Sequence, residues 1–321
     1  FTIARYAFVG MTRFCQGISD ISDSYDAFLI DQGGVLHDNK KAFPGVVECL
    51  KHLKQRKKTV IILTNSSLTP EQTKPVLKKA GIGPSLYKAI ITSGGLIRDG
   101  LSNQDGGIFE SIGNHVYLPT ANADTSLIED LDIRRVADIE DADFMLITPS
   151  DAPTGDVSEL DACLKQAAHR RLRAICANPD SLALMRSNFV MGPGLIARRY
   201  QEFGGVVHFI GKPHKPIFRH CVAYLKQLDI YPGQTVMIGD TMAHDILGGT
   251  MAEIDTCLVT SGIHAGTFKN QDSRTAIERS LNVLAAQYGN VRPTYLVPRL
   301  EWGQALPDRK HRKHKSRKRS T

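Results

Sequence analysis

Residues 27–39 read AFLIDQGGVLHDN. Four apolar residues lead into Asp31, and Gly33 and Gly34 then break the run, so a buried strand delivers a carboxylate into a tight turn. A carboxylate so placed suits a nucleophile or metal ligand, because glycine lets backbone groups approach a substrate closely. Outward from this segment, apolar runs rich in β-branched residues alternate with stretches of helical period. Strands are expected over Ala27–Asp31, Thr59–Thr64, Ala89–Thr92, Val207–Ile210, Thr235–Ile238 and Thr256–Val259, and helices over Pro44–Lys57, Pro70–Ala80, Pro216–Leu228 and Ala243–Met251. This alternation is the signature of βαβ units around a parallel sheet, so the fold class is α/β.

Between Leu96 and Gly205 the series is interrupted by a second set of elements: strands over Val116–Leu118, Phe144–Ile147 and Ala174–Cys176, and a helix over Asp156–Arg171. That length suits an α/β domain inserted into the first. The organisation read from the sequence is an N-terminal extension (1–20), a core (21–95 and 206–290), an insertion (96–205) and a C-terminal extension (291–321).

Three further segments fall at the carboxyl ends of apolar strands, where open parallel sheets place their ligands. Thr64, Asn65 and Ser66 follow VIIL and offer hydroxyl and backbone donors to a phosphoryl oxygen. Gly211, Lys212 and Pro213 follow VVHFI and bring an ammonium that can neutralise developing charge. Gly239, Asp240 and Asp245 follow VMI and set two acids around a turn, able to hold a hard cation such as Mg²⁺.

At 321 residues, with 42% hydrophobic and 23% charged, the chain has the length of about two domains and an ordinary globular composition. No apolar run approaches the roughly 18 residues of a spanning helix, and no membrane partner is expected. The net charge of +7 is unevenly placed. Residues 309–321, RKHRKHKSRKRST, hold eight Lys or Arg and no acid, which leaves 32 basic against 33 acidic residues in the remainder. Six scattered cysteines (15, 49, 163, 176, 221, 257) form no Cys-x-x-Cys pair, so neither a zinc site nor a disulfide framework is expected. Residues 1–19 hold two Arg and no acid, as the end of an organellar presequence would, and the expected location is the mitochondrial matrix, with the cytoplasm as the alternative.

Taken in order, DQGGVLHDN, ILTNSS, ITSGG, ICANPDS, GPGLIARRYQEFGG, FIGKPHKPIF and IGDTMAHDILGG resemble the haloacid dehalogenase superfamily. Within it they resemble the class IIA phosphatases, in the branch whose first motif is similar to Asp-x-Trp-Gly-Val-Leu-His-Asp. The resemblance spans about Asp26 to Ala286. It implies a Rossmann-like parallel-sheet core with an inserted α/β cap, matching the insertion at 96–205. It also implies that Asp31 attacks phosphorus to form an aspartyl-phosphate, that Thr64 hydrogen-bonds the phosphoryl group and that Lys212 stabilises its charge. Asp240 would ligate Mg²⁺ beside the Asp31 carboxylate and the Gly33 carbonyl, with Asp245 supporting. Asn65 and Ser66 would meet the phosphoryl group, and Asn178 and Asp180 would end the cap near the leaving group of a small phosphorylated ligand.

One position departs from the pattern. Active superfamily phosphatases carry a second Asp two residues after the nucleophile, which protonates the leaving group and then activates water; here that residue is Gly33. A general acid–base is worth about 10²–10⁴ in rate, so hydrolysis is expected to be slow unless His37 or Asp38, the nearest candidates, substitutes. Metal binding through the residue 33 carbonyl would survive. The tail residues Arg309, Lys310, Arg312, Lys313, Lys315, Arg317, Lys318 and Arg319 would bind RNA or another polyanion through phosphates, without base readout, since no aromatic residue accompanies them. The combined expectation is a catalytically impaired phosphatase fold serving as a component of a ribonucleoprotein, plausibly the mitochondrial ribosome. The alternative is a working Mg²⁺-dependent phosphatase of a small organic phosphate.

Overall fold

The computed structural model describes residues 11–104, 106–150, 156–185, 188–269 and 273–303. Its core is a seven-stranded sheet of β1 (Arg13–Phe14), β2 (Ala27–Ile30), β3 (Thr59–Thr64), β4 (Ala89–Thr92), β12 (Thr235–Gly239), β13 (Asp255–Val259) and β14 (Tyr295–Val297). The strand order is β1-β14-β13-β12-β2-β3-β4, parallel at every pairing. The cap is a second parallel sheet, ordered β11-β8-β7-β5-β6, of β5 (His115–Tyr117), β6 (Arg134–Val136), β7 (Phe144–Ile147), β8 (Arg173–Cys176) and β11 (Val207–Phe209). A hairpin, β9 (Leu182–Met185) with β10 (Asn188–Met191), is antiparallel.

Helices α1 (Val46–Gln55), α2 (Pro70–Lys79), α6 (Lys215–Lys226), α7 (Leu247–Met251), α8 (Ala265–Phe268) and α9 (Arg274–Ala286) accompany the core strands and α4 (Asp161–His169) and α5 (Pro193–Glu202) those of the cap, while α3 (Ser93–Asn103) follows β4 and buries Ile97 and Leu101 among the cap residues Val116, Phe144 and Ile175. Side chains alternate across a strand, so β2 is divided between two apolar layers. Phe28 and Ile30 pack with Val46, Cys49, Leu50 and Leu53 of α1 and Leu77 of α2, while Ala27 and Leu29 pack with Ile217, Phe218, Cys221 and Leu225 of α6. Burial on both faces explains why these strands read as unbroken apolar runs. Leu50 and Leu53 are wholly buried, so truncating either to Ala should cost about 2–5 kcal/mol. Helix α2 starts sharply because Thr69 and Gln72 form a reciprocal capping box ahead of Pro70.

The structure departs from the sequence reading in three places. The strand at Val207 pairs with β8 and belongs to the cap sheet, so the cap runs to about residue 209 rather than 205. The described parts of both extensions are built into the core: β1 and β14 continue its sheet, and Ile18 and Ser19 donate to the Glu301 and Trp302 carbonyls at 2.9 Å. The helix expected over Ala243–Met251 opens as a π-helical turn, Met242–Ile246, before α7. Such turns recur at functional sites, and this one carries Asp245. Among the described residues no helix is long and apolar enough to cross a membrane.

Candidate active site

The carboxyl ends of β2, β3 and β12 meet the segment that follows β11. Lys212 lies at the centre, 2% exposed, and its Nζ donates to Asp31 Oδ1 and to Asp245 Oδ1, each at 2.6 Å. Burial would pull this ammonium below its ordinary pKa, but Asp245 and Asp31 outweigh burial and hold it above. Asp245 is wholly buried and has both oxygens bonded: Oδ1 takes Lys212, and Oδ2 takes the Thr241 N–H at 3.0 Å and the Thr241 hydroxyl. It thereby positions Lys212 and the turn, while standing within reach of a cation shared with Asp31 and Asp240.

Asp240 is differently placed. Its Oδ2 accepts the Ile263 N–H at 2.8 Å, and burial, followed by repulsion from Asp245, pushes its carboxyl up to about 6. Burial also raises Asp31 well above the usual carboxylate range; Lys212 opposes this, and Asp245 and Asp240 reinforce it. Ligand oxygens of Asp31, Asp240 and Asp245 lie within 4.8 Å of one another, three acids against one ammonium. The chain has left room for this group: Gly34, at φ +76°, and Gly262 are positions where a Cβ would strike Asp240 Oδ2 at 2.2 and 2.1 Å. Hard oxygen donors with an uncompensated negative charge fit a divalent cation such as Mg²⁺, with Asp31 and Asp240 as the side chains that would hold it.

Thr64 ends β3 in the register that places Ile62 beside Ile30, so it stands level with the turn after Asp31. Its Oγ1 accepts the Ser66 N–H at 3.3 Å, which leaves its O–H to donate. Ser66 Oγ accepts the Leu68 N–H at 3.2 Å, and this half-buried hydroxyl likewise keeps its proton for a donor role. Asn65, expected to meet substrate, is engaged throughout. Its Oδ1 accepts the Lys212 N–H at 2.6 Å, and its Nδ2 donates to the Lys212 carbonyl and to Asp180 Oδ1, both at 3.0 Å. Asn65 thus holds the lysine segment and ties core to cap. The approach requires glycine at 211, where a Cβ would lie 2.6 Å from Asn65 Oδ1.

On the cap side, Asn178 Oδ1 accepts the Asp180 N–H at 2.9 Å, closing a turn that aims Asp180 at the core. Asp180 Oδ1 also lies 3.4 Å from His244 Nδ1. The fold thus places His244, and with it His214, at this junction. His214 stacks on Phe209 at 4.7 Å, and burial, with His244 and Arg198 nearby, lowers its pKa to about 4. Arg198, which the sequence did not single out, donates to the Pro179 carbonyl and to Ser181 Oγ. Only its position on a cap helix brings it here, and its spacing in sequence carries no signal.

His37 and Asp38, the residues nearest in sequence that could replace the acid missing at residue 33, are both engaged locally. His37 is buried: its Nδ1 accepts the Asn39 N–H at 3.0 Å, and its Nε2 lies 3.0 Å from the Gln32 side-chain nitrogen. Asp38 Oδ1 accepts the N–H groups of Lys40 and Lys41 at 3.0 and 2.8 Å and closes an exposed turn. Gly33 itself is exposed, and a Cβ built on it meets nothing within 4 Å. The nucleic-acid contacts expected of Arg309, Lys310, Arg312, Lys313, Lys315, Arg317, Lys318 and Arg319 lie outside the described residues.

The fold and this acid–lysine arrangement agree with the matches to known proteins. A model of haloacid dehalogenase-like hydrolases matches residues 28–134, and a HAD-hydrolase-like model matches residues 209–301. The chain belongs to the haloacid dehalogenase-like hydrolase family. Its relatives place it with the class IIA phosphatases of that family. It is 25% identical to the 5'-nucleotidase YutF of Bacillus subtilis over 249 residues, covering 75% of this chain and 89% of the relative. The crystal structure of a haloacid dehalogenase-like hydrolase from Brucella suis superimposes with a TM-score of 0.71 at 22% identity, covering 89% of this chain and 99% of that one. A Mycobacterium tuberculosis glycerol phosphate phosphatase in complex with magnesium matches with a TM-score of 0.62 at 19% identity, covering 87% and 76%.

Proposed function

We propose that the protein is a Mg²⁺-dependent phosphohydrolase of small organic phosphates whose turnover is limited by the missing acid–base at residue 33. The observation that carries this reading is the buried Lys212 Nζ bridging Asp31 and Asp245 beside Asp240. Its relatives are named for dephosphorylating small molecules, which favours this reading over the ribosome-component role expected from the tail.

Lys212 holds one oxygen of Asp31 and leaves the other to attack. A bond forms from that oxygen to phosphorus as the bond to the leaving oxygen breaks and its electron pair departs with the leaving group. The Thr64 hydroxyl and the Lys212 ammonium face the charge on the transferring phosphoryl group. Asp31 and Asp240 would hold Mg²⁺, which would supply charge neutralisation to the transferring phosphoryl group. Gly33 offers no proton to the departing oxygen and no base to the water that must cleave the aspartyl-phosphate. Aryl phosphates, whose leaving groups need no protonation, should therefore react faster than alkyl phosphates, and release of the aryl alcohol should show a stoichiometric burst.

The test is Mg²⁺-dependent hydrolysis of an aryl phosphate by the wild type, Asp31→Asn and Gly33→Asp. The expected result is slow wild-type turnover, none for Asp31→Asn and a rise for Gly33→Asp, whose side chain enters open space. Absence of turnover and of a burst in both wild type and Gly33→Asp would overturn the reading. Placement in mitochondria rests on the acid-free residues 1–19 alone and is tested by fractionation.

A further inference from the structure

The charge of this chain is polarised in space. Between Lys40 and Lys88 the sequence holds eleven Lys or Arg against two acids, Glu48 and Glu71, whereas the rest of the chain up to Asp308 holds 21 against 31. Ten of the eleven are exposed, Lys58 being half-buried. Both acids are already paired, Glu48 with Lys51 and Glu71 with Lys74, and Lys58 reaches Asp26 at 3.5 Å. Among the described residues the other eight have no carboxylate within ion-pair distance.

These cations share one side of the molecule. Helices α1 and α2 pack on the same face of the core sheet, in the layer that contains Phe28, Ile30, Val60 and Ile62. The Ala42 N–H donates to the Ala80 carbonyl at 2.9 Å, so the Lys40–Lys41 turn abuts the end of α2 that bears Lys78 and Lys79. Helix dipoles favour cations in the last turn of a helix, which accounts for Lys54, Lys78 and Lys79 locally, but not for Lys40, Lys41 or Lys88. The chain returns to this face at its far end. Trp302 packs against the same layer, its ring stacked on His52 at 4.8 Å and beneath Arg56 at 4.6 Å. The sequence that follows Gly303 carries the eight Lys or Arg of residues 309–321.

We propose that the α1–α2 face is a binding surface for the phosphodiester backbone of nucleic acid, without base readout. A protein interface is centred on buried apolar and aromatic anchors, and a membrane-surface helix inserts apolar side chains. No large hydrophobic residue between 40 and 88 is exposed, and Trp302 is already engaged by His52 and Arg56. An extended surface of one sign without an apolar anchor fits a polyphosphate, whose binding is driven by release of condensed counterions.

The experiment compares the full chain, a truncation ending at Leu306 and the quadruple variant Lys54→Gln/Lys57→Gln/Lys78→Gln/Lys79→Gln. Binding to labelled oligouridylate and oligothymidylate is followed by anisotropy across a salt series. Both oligonucleotides should bind alike, with affinity falling steeply with salt. Each lost contact removes about 0.7 from the log–log slope, so the quadruple variant should lose up to about 3 in slope and at least about tenfold in affinity. The truncation should weaken binding without abolishing it. A quadruple variant with wild-type affinity and slope would overturn the proposal, as would equal or tighter binding to phosphatidylserine vesicles or to polyglutamate.

Discussion

The two loops that flank Lys212 differ in what they retain. In the turn from Gly239 to Asp245, Asp245 has both oxygens bonded, Asp240 is held by Ile263, and Gly34 and Gly262 keep space around it. In the turn from Asp31 to Asn39, by contrast, Gly33 faces open space, His37 is turned inward to Asn39 and Gln32, and Asp38 serves its own turn. The first turn gathers bonded carboxylates around Lys212, and the second offers no carboxylate at residue 33. Charge handling and proton transfer are separable functions: a phosphoryl group can be bound and transferred by electrostatics alone, while its release to water needs a base.

The comparison is broken most decisively at residue 33. Gly33→Asp should raise kcat on an aryl phosphate by about 10²–10⁴, and a smaller ratio on aryl than on alkyl substrates would locate the gain in leaving-group protonation. No gain would mean that the charge-handling turn is also defective. Next in size, Asp245→Ala should lower unfolding free energy by about 3–5 kcal/mol in a denaturant titration, because it removes one of two carboxylates that compensate buried Lys212. An unchanged midpoint would show that Asp31 alone satisfies the lysine.

Stabilisation by Mg²⁺ is a finer probe. At about 100-fold excess over Kd it should reach about 2.7 kcal/mol in the wild type and vanish in Asp240→Ala. Because burial and Asp245 hold Asp240 near 6, this stabilisation should fade as pH falls through about 6, where the carboxyl takes up a proton. The smallest effect concerns the cap junction. The His214 pKa is about 4 when folded and near 6.5 when unfolded, so the unfolded chain binds the proton first as pH drops. Stability should therefore fall between about pH 6.5 and 4 by about 1–2 kcal/mol, allowing for partial solvent exposure, and His214→Gln should flatten that part of the curve.

Much of this was legible without coordinates. Apolar runs ending in Asp31, Thr64 and Asp240 mark strand ends, because a strand buried on both faces has only one way to satisfy its side chains. The absence of an acid at Gly33 is likewise a sequence fact. Partner assignments were not legible. Val207–Ile210 reads as a strand but not as a cap strand, since strand propensity says nothing about which sheet supplies the hydrogen bonds. Asn65 and Ser66 look alike beside Thr64, yet Asn65 is consumed by Lys212 and Asp180, 147 and 115 residues away.

The sequence by itself determined the α/β class, the order of the site segments, the loss of the acid and the basic tail, because each is written in local pattern and residue identity. Only the tertiary structure decided that Asp245 divides its oxygens between Lys212 and the Thr241 turn, that His37 is turned inward, that His244 and Asp180 meet across the cap junction, and that the cations of α1 and α2 share a face with Trp302. Those facts depend on long-range packing, in which burial and hydrogen-bond saturation, not spacing along the chain, determine what a side chain is free to do.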